Sequence, residues 1–410
     1  MSKTRILVVS QHFWPESFRI NDIVDYFVEQ NLEVDVLCGL PNYPSGQFSK
    51  GYGYFGKRHE VHNGAHIERV LEIKRGNNSN VRIFLNYVSF PFFSLFHIPK
   101  ILNRKYDRIF IYQLSPVMMS LAGILIGKIK KVETSMYVLD MWPENLFSVL
   151  KIKNKRIRNI ATFVSHWHYR NVDKLIVLTE MMKINLIQAT KKNPEDFIVL
   201  PQSTEKIFEN NTYDKNLVNR FKNGFNILFT GNISPAQSFK TIIRAAKKLE
   251  SDGFKNINWI VVGNGMSKKD VEEDVRLANL EHCFYFEGEK PTKDIPKYTY
   301  ISDVLVGCLA KSELLEATIP AKVVSYIAAG KPIVLAMDGE VQELINNKIK
   351  CGIVGPAGDS DKLSDNIKTI YKMSKSDRQK MGNRSLKYHK KYLSREILLQ
   401  KLLNFVFDES

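Results

Sequence analysis

Short runs of valine, isoleucine and leucine alternate with helix-length segments along this chain, and the alternation starts afresh midway. In the first half the apolar runs are RILVVSQ (5–11), EVDVLCG (33–39), DRIFIYQ (107–113), ETSMYVL (133–139) and DKLIVLT (173–179). Near-continuous apolar runs of this length fit parallel strands buried on both faces. Segments such as INDIVDYFVEQN (20–31) lie between them, which is the βαβ pattern of a doubly wound sheet. The second half repeats it with FNILFTG (225–231), INWIVVG (257–263), SDVLVGC (302–308) and KPIVLA (331–336). A chain of 410 residues suits two cores rather than one. The expected fold class is α/β, with two Rossmann-like doubly wound domains facing a central cleft. The expected boundaries are 1–200, a polar, asparagine-containing hinge at 201–224, a second domain at 225–390, and a C-terminal helix at 391–410 packing back on the first domain.

In such sheets ligands bind beyond the carboxyl ends of the strands. In the second half those ends carry Gly231, Gly263 and Gly265, then EGE from Glu287, then ATIPAK (317–322). Glycine lets a backbone approach a ligand closely, and N–H groups at helix starts bind phosphate. Pro320 and Gly330 punctuate a helix, and Lys322 falls in its first turn, where the helix dipole disfavours a cation. An anionic ligand at that helix start accounts for the lysine; a solvated exposed lysine is the plain alternative. In the first half the strand ends read SQHFWPESFRIND (10–22) and LDMWPENL (139–146), offering Glu16, Asp140 and Glu144. Such carboxylates can orient or deprotonate a hydroxyl, or they can cap the helices that follow. Asp359 and Asp361 are read as helix-capping residues rather than a metal pair. The first strand is not followed by Gly-x-Gly-x-x-Gly, which argues against a dinucleotide oxidoreductase.

The 59 Lys and Arg against 43 Asp and Glu give a net charge of +16, which suits phosphorylated ligands, anionic lipid or nucleic acid. No helix-turn-helix, zinc finger or RNA-recognition pattern supports nucleic acid. The runs KIKNKRIR (151–158) and KYHKKY (387–392) read as solvated faces. Cys38, Cys283, Cys308 and Cys351 are far apart and read as small hydrophobes. The HWH at 166–168 has no partner at metal spacing. The apolar segment 82–102 is interrupted by Pro91 and Pro99, so it is a poor membrane span. It holds six aromatics, which fits either a buried helix or a surface that touches lipid.

The quoted loops, together with GLPNYPSGQFSKGYGYF (39–55), GNISPAQSFKTIIRAA (231–246), WIVVGNGMSKKDVEE (259–273), TIPAKVVSYIAAGKPIV (318–334) and DGE (338–340), resemble the family-four retaining glycosyltransferases of the GT-B fold. The similarity runs almost end to end and is strongest to the surface-polysaccharide branch that contains N-acetyl-L-fucosamine transferases. It implies an N-terminal acceptor domain and a C-terminal nucleotide-sugar domain. The donor would be a UDP-sugar held by Gly231, Asn232, Gln237, Gly263, Gly265, Glu287, Ile319, Pro320, Ala321, Lys322, Ser325 and Glu340, with no cofactor and no metal. Lys322 and Arg19 would face the diphosphate, while Asp140 and Glu144 are the acceptor-side candidates. The resemblance further implies a polyprenyl-diphosphate-linked oligosaccharide acceptor and a cytoplasmic enzyme, peripheral on the inner face of the membrane, acting in O-antigen or capsule synthesis. The aromatic loop 42–59, with Lys50, Lys57 and Arg58, joins segment 82–102 as a candidate for that anionic surface.

The sequence also departs from the family pattern. The family's two glutamates fall on Ala317 and Ser325, leaving Glu313, Glu316 and Glu340 as nearby substitutes. The family's Arg and Lys fall on Asn232 and Gln237, and a frequent histidine falls on Leu139. A nucleotide-sugar epimerase, a phosphorylase or a non-catalytic basic binding protein are the competing expectations.

Overall fold

The computed structural model describes residues 3–77, 79–144, 146–147 and 154–408. The chain divides into two compact units, Met1–Leu200 with Leu399–Ser410, and Pro201–Leu398.

The first unit is built on eight strands: β1 (Arg5–Ser10), β2 (Glu33–Cys38), β3 (His59–His62), β4 (Ala65–Arg69), β5 (Arg108–Gln113), β6 (Thr134–Val138), β7 (Lys174–Val177) and β8 (Phe197–Val199). Their order is β3-β4-β2-β1-β5-β6-β7-β8, parallel throughout except for the β3–β4 hairpin. That hairpin turns through Asn63 (φ 48°) and Gly64 (φ 89°), the left-handed pair a tight hairpin needs. The central strands β1, β2 and β5 are buried along nearly their whole length, which is why they read as continuous apolar runs. The C-terminal helix Arg395–Phe407 reaches this unit through Arg108 Nε and Lys174 Nζ, which donate to the carbonyls of Val406 and Phe405 at 2.9 Å each.

The second unit has six parallel strands: β9 (Phe225–Thr230), β10 (Ile257–Val262), β11 (Phe284–Gly288), β12 (Val304–Cys308), β13 (Ile333–Ala336) and β14 (Gly352–Gly355), in the order β11-β10-β9-β12-β13-β14. Residues 201–224 belong to this unit and contain a helix, Lys215–Arg220, so they do not form the separate hinge expected from composition.

Both sheets reverse direction of growth at their first strand. β1 lies between β2 and β5, and β9 between β10 and β12. The carboxyl ends of these pairs are the topological switch points, where neighbouring crossovers leave on opposite sides and open a crevice.

Segment 82–102 forms the helices Asn80–Leu95 and Ile98–Leu102. The first is two-sided. Phe90 is fully buried, and Tyr87 and Phe93 pack on the core. The opposite side exposes Val81, Phe84, Leu85, Val88, Phe92 and Phe96. One face of this helix is therefore buried, as expected of a core helix, and the other is apolar and exposed. No described helix is long and apolar enough to cross a membrane.

Candidate functional site

In the second unit the crevice beyond β9 and β12 is made of backbone. Gly231 (φ 125°), Gly263 (φ 152°) and Gly265 (φ 157°) all sit where L side chains are strained. Space forbids a side chain as well. A Cβ on Gly263 would lie 1.9 Å from the Gly231 carbonyl oxygen, and one on Gly265 would lie 2.2 Å from that of Ile233. The loops are laced together by Gly231 N–H to the Val262 carbonyl (3.0 Å) and Ile233 N–H to the Asn264 carbonyl (2.8 Å).

The helix Ala321–Ala329 starts at this crevice, with Pro320 as its N-cap residue and Gly330 (φ 66°) as its C-cap. Tyr326 locks it in place: its hydroxyl donates to the Val306 carbonyl (3.1 Å) and accepts the Thr230 N–H (2.9 Å). Lys322 is thereby aimed at Gly231, with Cε and Nζ 3.4 Å from where a Gly231 Cβ would stand. Its ammonium lies over the Phe229 ring, 3.9 Å from the centroid, and donates to Gln237 Oε1. Burial against this apolar ring pushes the Lys322 pKa down to about 7. Lys322, Gly231, Gly263, Gly265 and Gln237 thus converge as neighbours, and Asn232 is exposed beside them, its side-chain oxygen next to Gly265.

The remaining donor-side candidates are placed differently. Glu287 is held by Arg220 (2.7 Å) and by the Tyr298 hydroxyl (3.0 Å). The Ser325 hydroxyl shares a hydrogen bond with Thr204 (2.9 Å), one helical turn beyond Ala321. Ile319 leads into the helix, half-buried. Ala317, on which the resemblance places a glutamate, is buried. The loop 338–340 packs on that region: a Cβ on Gly339 would lie 2.0 Å from the Glu316 carbonyl oxygen, which brings Glu340 and Glu316 together in the backbone path. The Glu313 side chain lies outside the described residues.

In the first unit the crevice beyond β1, β5 and β6 is a pocket of about 500 Å³ lined by His12, Phe18, Tyr43, Arg75, Ile83, Phe84, Tyr87, Leu114, Ser115, Met118, Asp140, Trp142 and Leu146. Asp140 Oδ2 accepts from the Ser115 N–H (3.1 Å) and hydroxyl (2.8 Å), and that hydroxyl accepts from Trp142 Nε1 (2.9 Å). The capping alternative for Glu16 fails. Its Oε2 accepts from His12 Nδ1 at 2.8 Å, and its Oε1 from the N–H groups of Asn42 (2.7 Å) and Tyr43 (2.6 Å), while the following helix, Arg19–Glu29, has no side-chain cap. Glu16 therefore pins the 39–55 loop and orients the His12 ring, whose Nε2 lies 3.4 Å from Arg75 Nη2. His12 stacks on Phe18, with ring centroids 4.8 Å apart. Arg19 opens the next helix, and the exposed Glu144 sits past Trp142; neither lines the pocket.

Behind the pocket lies a buried polar cluster that the sequence did not reveal. Glu72 Oε1 accepts from Gln11 (2.8 Å), Asn42 (3.3 Å) and Asn86. Its Oε2 has no hydrogen-bond partner among the described residues. Burial pushes the Glu72 carboxyl up to about 8 against those hydrogen bonds, so it holds a proton at neutral pH. Arg69, fully buried, ties Glu60 to the Trp14 and Gly39 carbonyls. His12, Arg75 and Glu72 were missed because their partners come from strand ends far apart in sequence; only the His12–Glu16 spacing of four residues was available as a local signal.

The other marked residues are structural. Asp359 caps its helix by accepting the Lys362 N–H (2.8 Å), and Asp361 pairs with Lys248. His168 is buried against the Ser120 hydroxyl (2.7 Å), where burial lowers its pKa to about 4. All four cysteines are free. The basic run 151–158 lies partly outside the described residues. Among the described residues no group of three or more His, Cys, Asp or Glu could hold a metal ion.

Residues 212–388 match the family model described as Glycosyl transferases group 1. Over 348 residues the chain is 22% identical to the "Putative colanic acid biosynthesis glycosyl transferase WcaI" of Escherichia coli (strain K12), covering 82% of this chain and 83% of that one. Its fold is similar to that of HepE from Anabaena, crystallised in complex with UDP (TM-score 0.72, 14% identity, 98% of this chain and 99% of that one). It is also similar to WaaG, a glycosyltransferase involved in lipopolysaccharide biosynthesis (TM-score 0.67, 13% identity, 98% and 99%). The chain has the GT-B architecture of two Rossmann-like α/β units.

Proposed function

We propose that this protein is a retaining, metal-independent glycosyltransferase that moves a sugar from a UDP-sugar to a lipid-linked oligosaccharide at a membrane surface, in the assembly of a surface polysaccharide. The sugar is N-acetyl-L-fucosamine or another N-acetylated sugar. The reading rests above all on Lys322: a lysine desolvated to a pKa of about 7, in the first turn of a helix, against loops reduced to glycine. A largely desolvated ammonium whose partners, the Gln237 amide and the Phe229 ring, carry no charge is costly, and a diphosphate is a ligand that offsets it. HepE was crystallised with UDP, and the match to a colanic acid relative supports the polysaccharide assignment.

In this reading the N–H groups after Pro320 and the Lys322 ammonium receive the charge that grows on the diphosphate as the glycosidic bond breaks. A preorganised donor of this kind is worth roughly 2.7–4 kcal/mol. Asp140 orients the acceptor hydroxyl, and attack occurs on the face the diphosphate leaves. Glu316, next to Ala317, and Glu340, beside the Gly339 that packs on the Glu316 backbone, are the candidate acids for the position of the missing glutamate.

The test is calorimetric titration with UDP, GDP and dTDP of the wild type and of Lys322→Ala. UDP alone should bind, at least about tenfold more weakly to the variant, or about 1.4 kcal/mol. The pH dependence has a definite sign. Lys322 is protonated below its free value near 7 and regains its proton when the diphosphate binds, so UDP affinity should be greatest at pH 6–7 and fall as pH rises towards 9. Lys322→Ala should flatten that slope. UDP binding that ignores both the substitution and the pH places the diphosphate elsewhere.

A further inference from the structure

We infer that the pocket of the first unit is a site for an isoprenoid diphosphate, with Arg75 receiving the diphosphate and Phe84 passing the chain out to the apolar face of helix Asn80–Leu95. The inference builds on the lipid-linked acceptor proposed above and assigns that acceptor's anionic group to a particular side chain.

Four observations carry it. Arg75 lies on the pocket wall, its guanidinium 5.1 and 5.4 Å from the centroids of the Tyr43 and Tyr87 rings. It makes no ion pair among the described residues. Its Nε donates to Asn86 Oδ1 at 3.2 Å and its Nη2 lies 3.4 Å from His12 Nε2, neither partner a carboxylate and both contacts at the long end for hydrogen bonds. A guanidinium packed beside two aromatic rings, with its donor fork bonded to no carboxylate among the described residues, suits phosphate oxygens.

The acids around the pocket do not supply its counter-ion. Glu16 is committed to His12 and to two backbone N–H groups. Asp140 is held by Ser115 on the β5 side. Glu72, bonded to the same Asn86, keeps its proton at neutral pH.

Most of the remaining lining is apolar: Phe18, Ile83, Phe84, Met118 and Leu146. An inorganic anion or a sugar alone would leave that surface wet, whereas a chain-bearing anion covers it. Finally, the pocket is continuous with an outer surface of the same character. Phe84 both lines it and stands 57% exposed. From there Val81, Leu85, Val88, Phe92 and Phe96 follow at the three- and four-residue spacing of one helix face. The helix carries Arg82 and no carboxylate, which suits chain and phosphate alike.

The test uses farnesyl diphosphate, farnesol and inorganic diphosphate as probes, titrated calorimetrically into the full-length protein and into Arg75→Gln, Phe84→Ser and Lys322→Ala. Farnesyl diphosphate should bind the wild type at least tenfold more tightly than either fragment. Arg75→Gln should weaken it tenfold or more, and so should Phe84→Ser, whose exposed side chain can be removed without harm to folding. Lys322→Ala should leave it unchanged. The inference is overturned if farnesyl diphosphate does not bind, if Arg75→Gln and Phe84→Ser bind it like the wild type, if inorganic diphosphate binds equally well, or if Lys322→Ala removes the binding. UDP titrated into the same proteins separates the two readings. UDP binding that survives Arg75→Gln while farnesyl diphosphate fails to bind leaves the donor site standing; farnesyl diphosphate binding without UDP binding leaves only the lipid site.

Discussion

The two units share a parallel sheet, a switch point at the first strand and a crevice beyond it, yet they furnish that crevice in opposite ways. The second unit strips its loops to backbone, with three glycines at positive φ and one desolvated lysine. The first unit fills its crevice with side chains: a His–Glu pair, an arginine beside two tyrosines, a buried amide cluster and an aromatic wall. Backbone N–H groups contact an anion at close range and need little variety. Side chains built on long loops can shape a crevice to one particular partner.

The contrast can be broken at its structural supports. The largest effect is expected for Arg69→Met, which leaves Glu60 without its buried partner and frees the Trp14 and Gly39 carbonyls. A loss of about 3–5 kcal/mol in denaturant unfolding is expected. A loss under about 1 kcal/mol would mean that the loops of the first unit are not held by side chains. Next comes Gly263→Ala. Positive φ and the collision with the Gly231 carbonyl oxygen together should cost about 1–3 kcal/mol and abolish UDP binding, measured by calorimetry on the folded variant. If UDP still binds, the backbone cradle is not its site.

Glu72→Gln tests whether the amide cluster is neutral. The wild-type carboxyl has its folded value raised from 4.5 to about 8, so the native state binds more protons than the unfolded state between those values, and stability falls as pH rises across that window. The variant lacks this slope. It should match the wild type near pH 4.5 and exceed it at pH 9 by at least about 1.4 kcal/mol, one pKa unit's worth. Equal stabilities at both pH values would place an ionised carboxylate behind the pocket. The smallest stability effect belongs to Phe92→Ser with Phe96→Ser, exposed side chains whose loss should change stability by about 0.5 kcal/mol or less. The same pair should reduce sedimentation with anionic vesicles several-fold; unchanged sedimentation would remove the membrane face from the proposal.

The frame of the molecule is legible in its residues alone. Buried parallel strands must be apolar on both faces, so β1, β2, β5, β9, β10 and β12 announce themselves as valine- and isoleucine-rich runs, and glycines past their ends mark the second crevice. The half-exposed edge hairpin β3–β4 has the alternating polar character of HEVHNGAHIER and was invisible to that signal, as were the three- and four-residue strands β8 and β14. Lys322 was legible because its oddity, a cation at a helix start, is local. That it is desolvated against Phe229 was decided only by folding, since Phe229 comes from another strand. Glu16 shows the limit most sharply. Its position in the sequence fits a helix cap, but its carboxylate is claimed by His12 and by the backbone of a loop 26 residues further on. Which of several possible hydrogen bonds a carboxylate makes depends on which donors the fold leaves unpaired nearby, and only the tertiary structure decides that.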